Sequence, residues 1–217
     1  MKDFKIVWSA RSECGPSRKK NEDTIFPPIS GSSNSPFKAA VCDGLGGHVD
    51  GDVASKIAAD TLLKEITDLN QMITEANNNI LEYQEKNPSS LGMGTTMTAI
   101  SIDSDALMKI GHVGDSRCYV LSDRNLIKVT EDQNVPGYQN VLKQALGSNE
   151  KLNIQEVDFQ LQIGDVVFLC SDGLYNEVGE EYIKKKMQDG ISADTFVGEV
   201  LLLNPKDNVS AIVINLV

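Results

Sequence analysis

Three acidic residues stand where apolar segments meet turns, and that setting could do chemistry. Asp43 follows the apolar run 37–42 and opens a glycine turn, Asp43-Gly44-Leu45-Gly46-Gly47-His48. Asp172 follows the run 166–170 within Ser171-Asp172-Gly173, and Asp207 stands just before the run that starts at Val209. A strand end can hold a carboxylate rigidly and leave its head group reachable. Glycines beside it let the backbone turn sharply and come close to an ion or a phosphate. Asp-Gly-x-Gly-Gly is also an ordinary tight turn with a capping carboxylate, since Asp and Gly dominate turns for conformational reasons. Repetition favours the chemical reading. If the three ends share one rim, their repulsion is costly unless cations offset it. Oxygen donors, with histidines that lack metal-ligand spacing, select Mg2+ or Mn2+ over zinc. Two such ions about 3.5–4 Å apart can turn a shared water into a nucleophile. The loop Arg18-Lys19-Lys20-Asn21-Glu22-Asp23 offers a guanidinium fork suited to phosphate oxygens, although three cations beside two acids also describe a solvated surface run. No Ser or Cys nucleophile constellation competes, so the chemistry indicated is metal-assisted hydrolysis of a phosphoester.

These residues need a scaffold. Strands are expected at 4–10, 24–26 and 37–42, and a helix over 52–69 with Asp52 placed to cap it. A second helix should run over 70–86 and end before Pro88. Strands at about 95–102, 107–113, 117–121 and 125–129 read as one antiparallel meander, in which Gly114-Asp115-Ser116-Arg117 is first of all a hairpin turn. The segment 138–146 reads as a short helix closed by Gly147. Strands at 153–161 and 165–170, helices at 179–188 and 192–203, and a strand from Val209 to Val217 complete the chain. This order predicts an α+β fold, a four-layer α-β-β-α sandwich of two mostly antiparallel sheets flanked by helix pairs, formed as one domain over residues 1–217.

Composition narrows the partners. A formal charge of −11 disfavours nucleic acid and anionic membranes, and suits a site that gathers carboxylates around cations. No apolar run reaches the ~20 residues of a membrane span, and Met1–Ile6 alternate polar with apolar, so neither membrane insertion nor export is expected. Cys14, Cys42, Cys118 and Cys170 form no CxxC pair. They read as reduced thiols in a cytoplasmic protein.

The ordered set Arg18-x-x-x-Glu22-Asp23, Asp43-Gly-x-Gly-Gly-His48, Gly94-Thr-Thr96, Gly114-Asp-Ser-Arg117, Leu146-Gly147, Ser171-Asp-Gly173 and Asp207-Asn208 resembles the metal-dependent protein phosphatase 2C family in its bacterial form. The likeness runs from Arg18 to Asn208. It implies hydrolysis of phosphoserine and phosphothreonine in proteins by a water or hydroxide bridging two Mn or Mg ions, in opposition to a serine/threonine kinase, by a monomer. Carried over, it implies that Asp43 bridges the two ions, that the Gly44 carbonyl binds one, that Asp172 and Asp207 hold the first and that Glu22 holds the second. Asp115, with Asp172, would bind a weaker third ion. Arg18 would bind the substrate phosphate, and Asp23 would orient water from behind. Thr95, Thr96, Ser116, Arg117 and Asn208 would hold the ligand loops.

The sequence departs from the family pattern twice. Where eukaryotic members place a histidine two residues after the bridging Asp, this chain has Leu45; His48 is expected to brace the glycine turn. The flap that bacterial members carry after the segment matching 129–134 is largely missing, which should open the site. Two rival functions, a binding module without catalysis and a hydrolase of small phosphoesters, remain. Retention of every family carboxylate opposes the first.

Overall fold

The computed structural model describes residues 4–46, 49–148 and 151–217. His48, expected to brace the turn, lies outside them, as does Gly47. In chain order the elements are β1 (Ile6–Glu13), β2 (Asp23–Phe26), β3 (Gly31–Ser33), β4 (Phe37–Asp43), α1 (Gly51–Asp60) and α2 (Leu69–Lys86). Next come β5 (Met97–Ile102), β6 (Leu107–Val113), β7 (Arg117–Ser122), β8 (Asn125–Lys128), β9 (Asn134–Val135), β10 (Tyr138–Leu142), β11 (Gln155–Gln160) and β12 (Val166–Cys170). The chain closes with α3 (Asp172–Gln188), α4 (Ala193–Leu201) and β13 (Val209–Leu216). One sheet runs β3-β1-β13-β12-β7-β8 and the other β11-β6-β5-β4-β2, with antiparallel pairings throughout.

The layering follows from the two-residue period of a strand. Along β4, Ala39 and Val41 face the other sheet, among Ile6, Ile100, Val120, Leu169 and Ile212, while Ala40 and Cys42 face Ala54, Ala58, Met72 and Ile73 of α1 and α2. Along β13, Ile212 and Ile214 point inward, while Ala211 and Val213 meet Phe196 and Val197 of α4. Both faces of the central strands are therefore covered, which is why they read as unbroken apolar runs. Each large aliphatic side chain buried this way contributes about 1.5–3 kcal/mol. The predicted four-layer sandwich is the observed one. Among the described residues no helix is long and apolar enough to cross a membrane.

Local expectations needed correction in four places. The first helix stops at Asp60 and continues as a 3-10 turn, Thr61–Leu63, where the Thr61 hydroxyl donates to the Ala58 carbonyl at 2.6 Å. Asp52 does not cap it; it lies in the first turn and pairs with Lys20 at 2.5 Å. The expected meander breaks at Gly114–Ser116, where the chain leaves one sheet at β6 and enters the other at β7, so this turn is a crossover and not a hairpin. The expected helix at 138–146 is absent: Tyr138–Leu142 form a strand paired with β9. The cause is Pro136-Gly137 between the paired Val135 and Tyr138, with Gly137 at φ +82°, the conformation that turns a chain back on itself. Finally, α3 starts at Asp172, seven residues before the predicted 179, and kinks at Gly179 (φ +69°).

His112 on β6 is fully buried, its Nδ1 2.8 Å from Thr98 Oγ1 and its Nε2 3.1 Å from the Glu131 carbonyl. Burial pushes its pKa down from 6.5 to about 4, against the opposing pull of the Glu131 carbonyl. The unfolded chain takes up this proton near pH 6.5 and the folded chain only near 4. The stability tied to the neutral ring is thus complete above pH 6.5 and is lost as pH falls from 6.5 to 4. The whole shift corresponds to about 3 kcal/mol. An NMR titration of the imidazole protons should give a midpoint near 4 for this ring; one near 6.5 would show a solvated histidine.

Candidate active site

The loop after β1, the ends of β4 and β12 and the start of β13 meet at one rim of the sandwich, around a cavity of about 670 Å3. Arg18, Asp43, Gly44, Leu45, Asp115, Asp172, Lys206 and Asp207 line it. Asp43 is held through its backbone: its N–H donates to Thr96 Oγ1 at 3.0 Å, and its carbonyl accepts from Thr96 N at 2.8 Å and from Thr95 Oγ1 at 2.9 Å. Its carboxylate is left to the cavity. Directly across the β2–β4 pair stands Asp23, buried, whose Oδ2 accepts from Ser171 Oγ at 2.8 Å and Ser210 Oγ at 2.6 Å. Its Oδ1 is buried without a hydrogen-bond partner among the described residues. Gly44 is needed by close approach, since a Cβ there would lie 2.4 Å from the Gly51 carbonyl oxygen and 2.6 Å from that of Glu22.

Burial and mutual repulsion act together on these acids. Burial, then Asp23 and Asp172, push Asp43 well above the usual carboxylate range. Burial, then Asp115 and Asp207, push Asp172 up to about 7, and burial pushes Asp23 up to about 6. Asp115 and Glu22 are also raised, burial being the main cause for both. Arg18 pairs with the cluster: Nη2 lies 2.6 Å from Asp207 Oδ2, Nη1 3.7 Å from Glu22 Oε2, and Nε donates to the Lys206 carbonyl at 3.2 Å.

With Asp207 turned to Arg18, no group of three carboxylate, imidazole or thiolate side chains among the described residues is drawn into a closed ion cage. The donor set still fits hard divalent cations: it is all oxygen, buried, mutually repulsive, and includes an unpartnered carboxylate oxygen on Asp23. Asp43, Asp172, Asp207, Glu22 and the Gly44 carbonyl are the groups that would hold such ions.

Sequence reasoning missed several supports. Ser171 and Ser210, which clamp Asp23, carried no signal beyond their place beside an acidic turn and a strand. Arg117 was expected to hold the ligand loops, but its partners were not: it grips Asp132 with Nη2 to Oδ2 at 2.6 Å and Nε to Oδ1 at 3.0 Å, and its guanidinium lies 3.5 Å from the centre of the Tyr175 ring. The Tyr175 hydroxyl in turn donates to the Asp115 carbonyl at 3.1 Å. The β9–β10 hairpin contributes Asn140, Val141 and Leu142 to the cavity wall. Its root is fastened by Gln133, whose N–H donates to the Gly114 carbonyl and whose Oε1 accepts from Gly114 N, both at 2.9 Å, and Asn134 Nδ2 donates to Asp115 Oδ2 at 2.9 Å.

A two-sheet sandwich with carboxylates gathered at strand ends and one arginine facing them defines a class of phosphoester-hydrolysing scaffold. The family model for protein phosphatase 2C matches residues 16–201, and the chain belongs to this family. It is 32% identical over 240 aligned residues to the serine/threonine phosphatase stp of Listeria monocytogenes serotype 4b (strain F2365), covering 94% of this chain and 93% of that protein. It is 30% identical to the serine/threonine protein phosphatase PstP of Mycobacterium tuberculosis (strain CDC 1551 / Oshkosh), covering 98% of this chain and 45% of that protein. The crystal structure of the catalytic domain of PstP in complex with two manganese ions superposes with a TM-score of 0.85, at 29% identity, over 99% of this chain and all of that one.

Proposed function

We propose that this phosphatase hydrolyses phosphoserine and phosphothreonine esters in proteins, opposing a serine/threonine kinase, with two Mn2+ or Mg2+ ions held by Asp43, Gly44, Glu22, Asp172 and Asp207. The observation that carries it is that Asp43, Asp172 and Asp207, from three separate segments, line one cavity together with Arg18, which pairs with Asp207 and lies 3.7 Å from Glu22. Relatives named serine/threonine phosphatases, and the two manganese ions of PstP, support the reading. The ions would supply a charge-neutralising centre that activates water. The chain's own groups do the rest. Arg18 presents a planar fork to the phosphate, whose oxygens compete with Asp207 for it. Asp23, fixed by two serine hydroxyls, positions Asp43 from behind. Leu45 has no proton to give the leaving group, and its apolar surface borders the site. Asp115 and Asp172 would take a weaker third ion. In this reading residues 1–217 act as one catalytic domain, monomeric and cytoplasmic.

Activity on a phosphothreonine peptide is expected to vanish in EDTA and to return with Mn2+ or Mg2+. Nucleotides and sugar phosphates, assayed alongside, should be turned over far more slowly. Undiminished turnover in EDTA would overturn the metal assignment, and a preference for nucleotides would overturn the substrate class.

A further inference from the structure

A second cavity, of about 420 Å3, lies beside the first and shares one wall with it: Leu45. That side chain is seated by its own backbone, since Leu45 N–H donates to the Gly94 carbonyl at 2.9 Å, and it lies so close to Gly94 that a Cβ there would meet Leu45 Cδ1 at 2.9 Å. The floor is Met93 and Leu146, both buried, and Leu91 stands at the mouth, 70% exposed. Among the described residues no charged side chain lines it, in contrast with the acid-lined cavity across Leu45. The walls are tied together. Gln84 Nε2 donates to the Gly147 carbonyl at 2.9 Å, its Oε1 accepts from Gly92 N at 2.8 Å, and Asn77 Oδ1 accepts from Gly147 N at 2.8 Å. A preformed wall of this kind does not need ordering when a ligand arrives. One polar group is left over: Ser148 Oγ is buried without a hydrogen-bond partner among the described residues.

Resting on the phosphopeptide reading above, we propose that this cavity is a substrate subsite that takes an apolar side chain near the phosphorylated residue. An uncharged cavity that adjoins the charged one across a single side chain matches a peptide in which a phosphoresidue and an apolar residue are close neighbours. The volume is within the range of sites that hold small ligands, above about 300 Å3. A charged side chain placed here loses its water without gaining a partner, so the subsite rejects Lys and Asp as well as accepting Leu. Ser148 Oγ is the group that a peptide N–H or carbonyl would satisfy.

The test is a set of phosphothreonine peptides of one length in which Leu, Ala or Lys is stepped through each flanking position, with kcat/KM measured at saturating Mn2+ and p-nitrophenyl phosphate as a control. At one position Leu should exceed Ala by about tenfold, chiefly through KM, and Lys should fall below Ala. In Leu91→Asp, a change at an exposed side chain, that preference should shrink to less than about twofold. Equal kcat/KM for the three residues at every position, with hydrolysis intact, overturns the subsite and leaves the phosphatase reading standing. A Leu preference unchanged in Leu91→Asp also overturns it, because another surface then reads the peptide. Failure to hydrolyse both the peptides and p-nitrophenyl phosphate overturns the phosphatase reading and this proposal with it.

Discussion

Asp43→Asn should lower kcat on a phosphothreonine peptide by roughly a thousandfold, about 4 kcal/mol of transition-state stabilisation, and leave the fold intact. Asn keeps the shape of the side chain, and the backbone bonds that hold residue 43 to Thr95 and Thr96 do not use the carboxylate. The substitution removes the charge at the centre of the cluster, a carboxyl that burial and its neighbours Asp23 and Asp172 push well above the usual carboxylate range. The metal-free variant should therefore unfold at a higher temperature than the metal-free parent, while calorimetric titration shows much weaker Mn2+ binding. Arg18→Ala is the contrast. It should raise KM by about ten- to a hundredfold, the scale of a lost charged hydrogen bond, with Mn2+ affinity equal to or above that of the parent. The reason is the 2.6 Å pair with Asp207: removing Arg18 frees a carboxylate that cations can use. If Arg18→Ala and Asp43→Asn lose Mn2+ affinity equally, the arginine acts on metal and not on phosphate.

Gly173→Ala should destabilise the protein by about 3 kcal/mol or more, a fall in Tm on the order of 10 °C. A Cβ on residue 173 would sit 2.0 Å from the Asn208 carbonyl oxygen, and one on Gly15 would sit 1.9 Å from that of Asp207. Asp207 and Asn208 are thus gripped between two backbones that approach too closely for any side chain. Both obstacles are main-chain atoms, so relief requires moving the segment that carries Asp207 and the Asn208 side chain, which accepts from Glu22 N at 3.0 Å. Scanning calorimetry would check the stability, and phosphatase assays at low temperature would show whether the folded fraction still works. A Tm within about 2 °C of the parent would mean that the loop yields easily and the clamp is not structural.

Much of this architecture was legible in the chain because its signals are local. The unbroken apolar run at 37–42 and the apolar segment from Val209 mark strands, and the helical spacing of apolar residues over 70–86 marks a helix. Acids at strand ends announced hard-cation chemistry. The segment 138–142 was misread because its Val141, Leu142, Ala145 and Leu146 suit a helix by spacing, whereas the Pro136-Gly137 turn and pairing with β9 override that preference. Gly114–Ser116 looked like a hairpin because turn chemistry does not reveal which sheet the next strand joins; that depends on β7 pairing with β12, some fifty residues later. The Arg18–Asp207 pair, the Ser171 and Ser210 grip on Asp23, and the closeness of Gly15 and Gly173 to one loop join residues roughly forty to two hundred positions apart. No local pattern encodes such contacts, since they exist only once the two sheets have closed on their shared core and brought the strand ends to one rim.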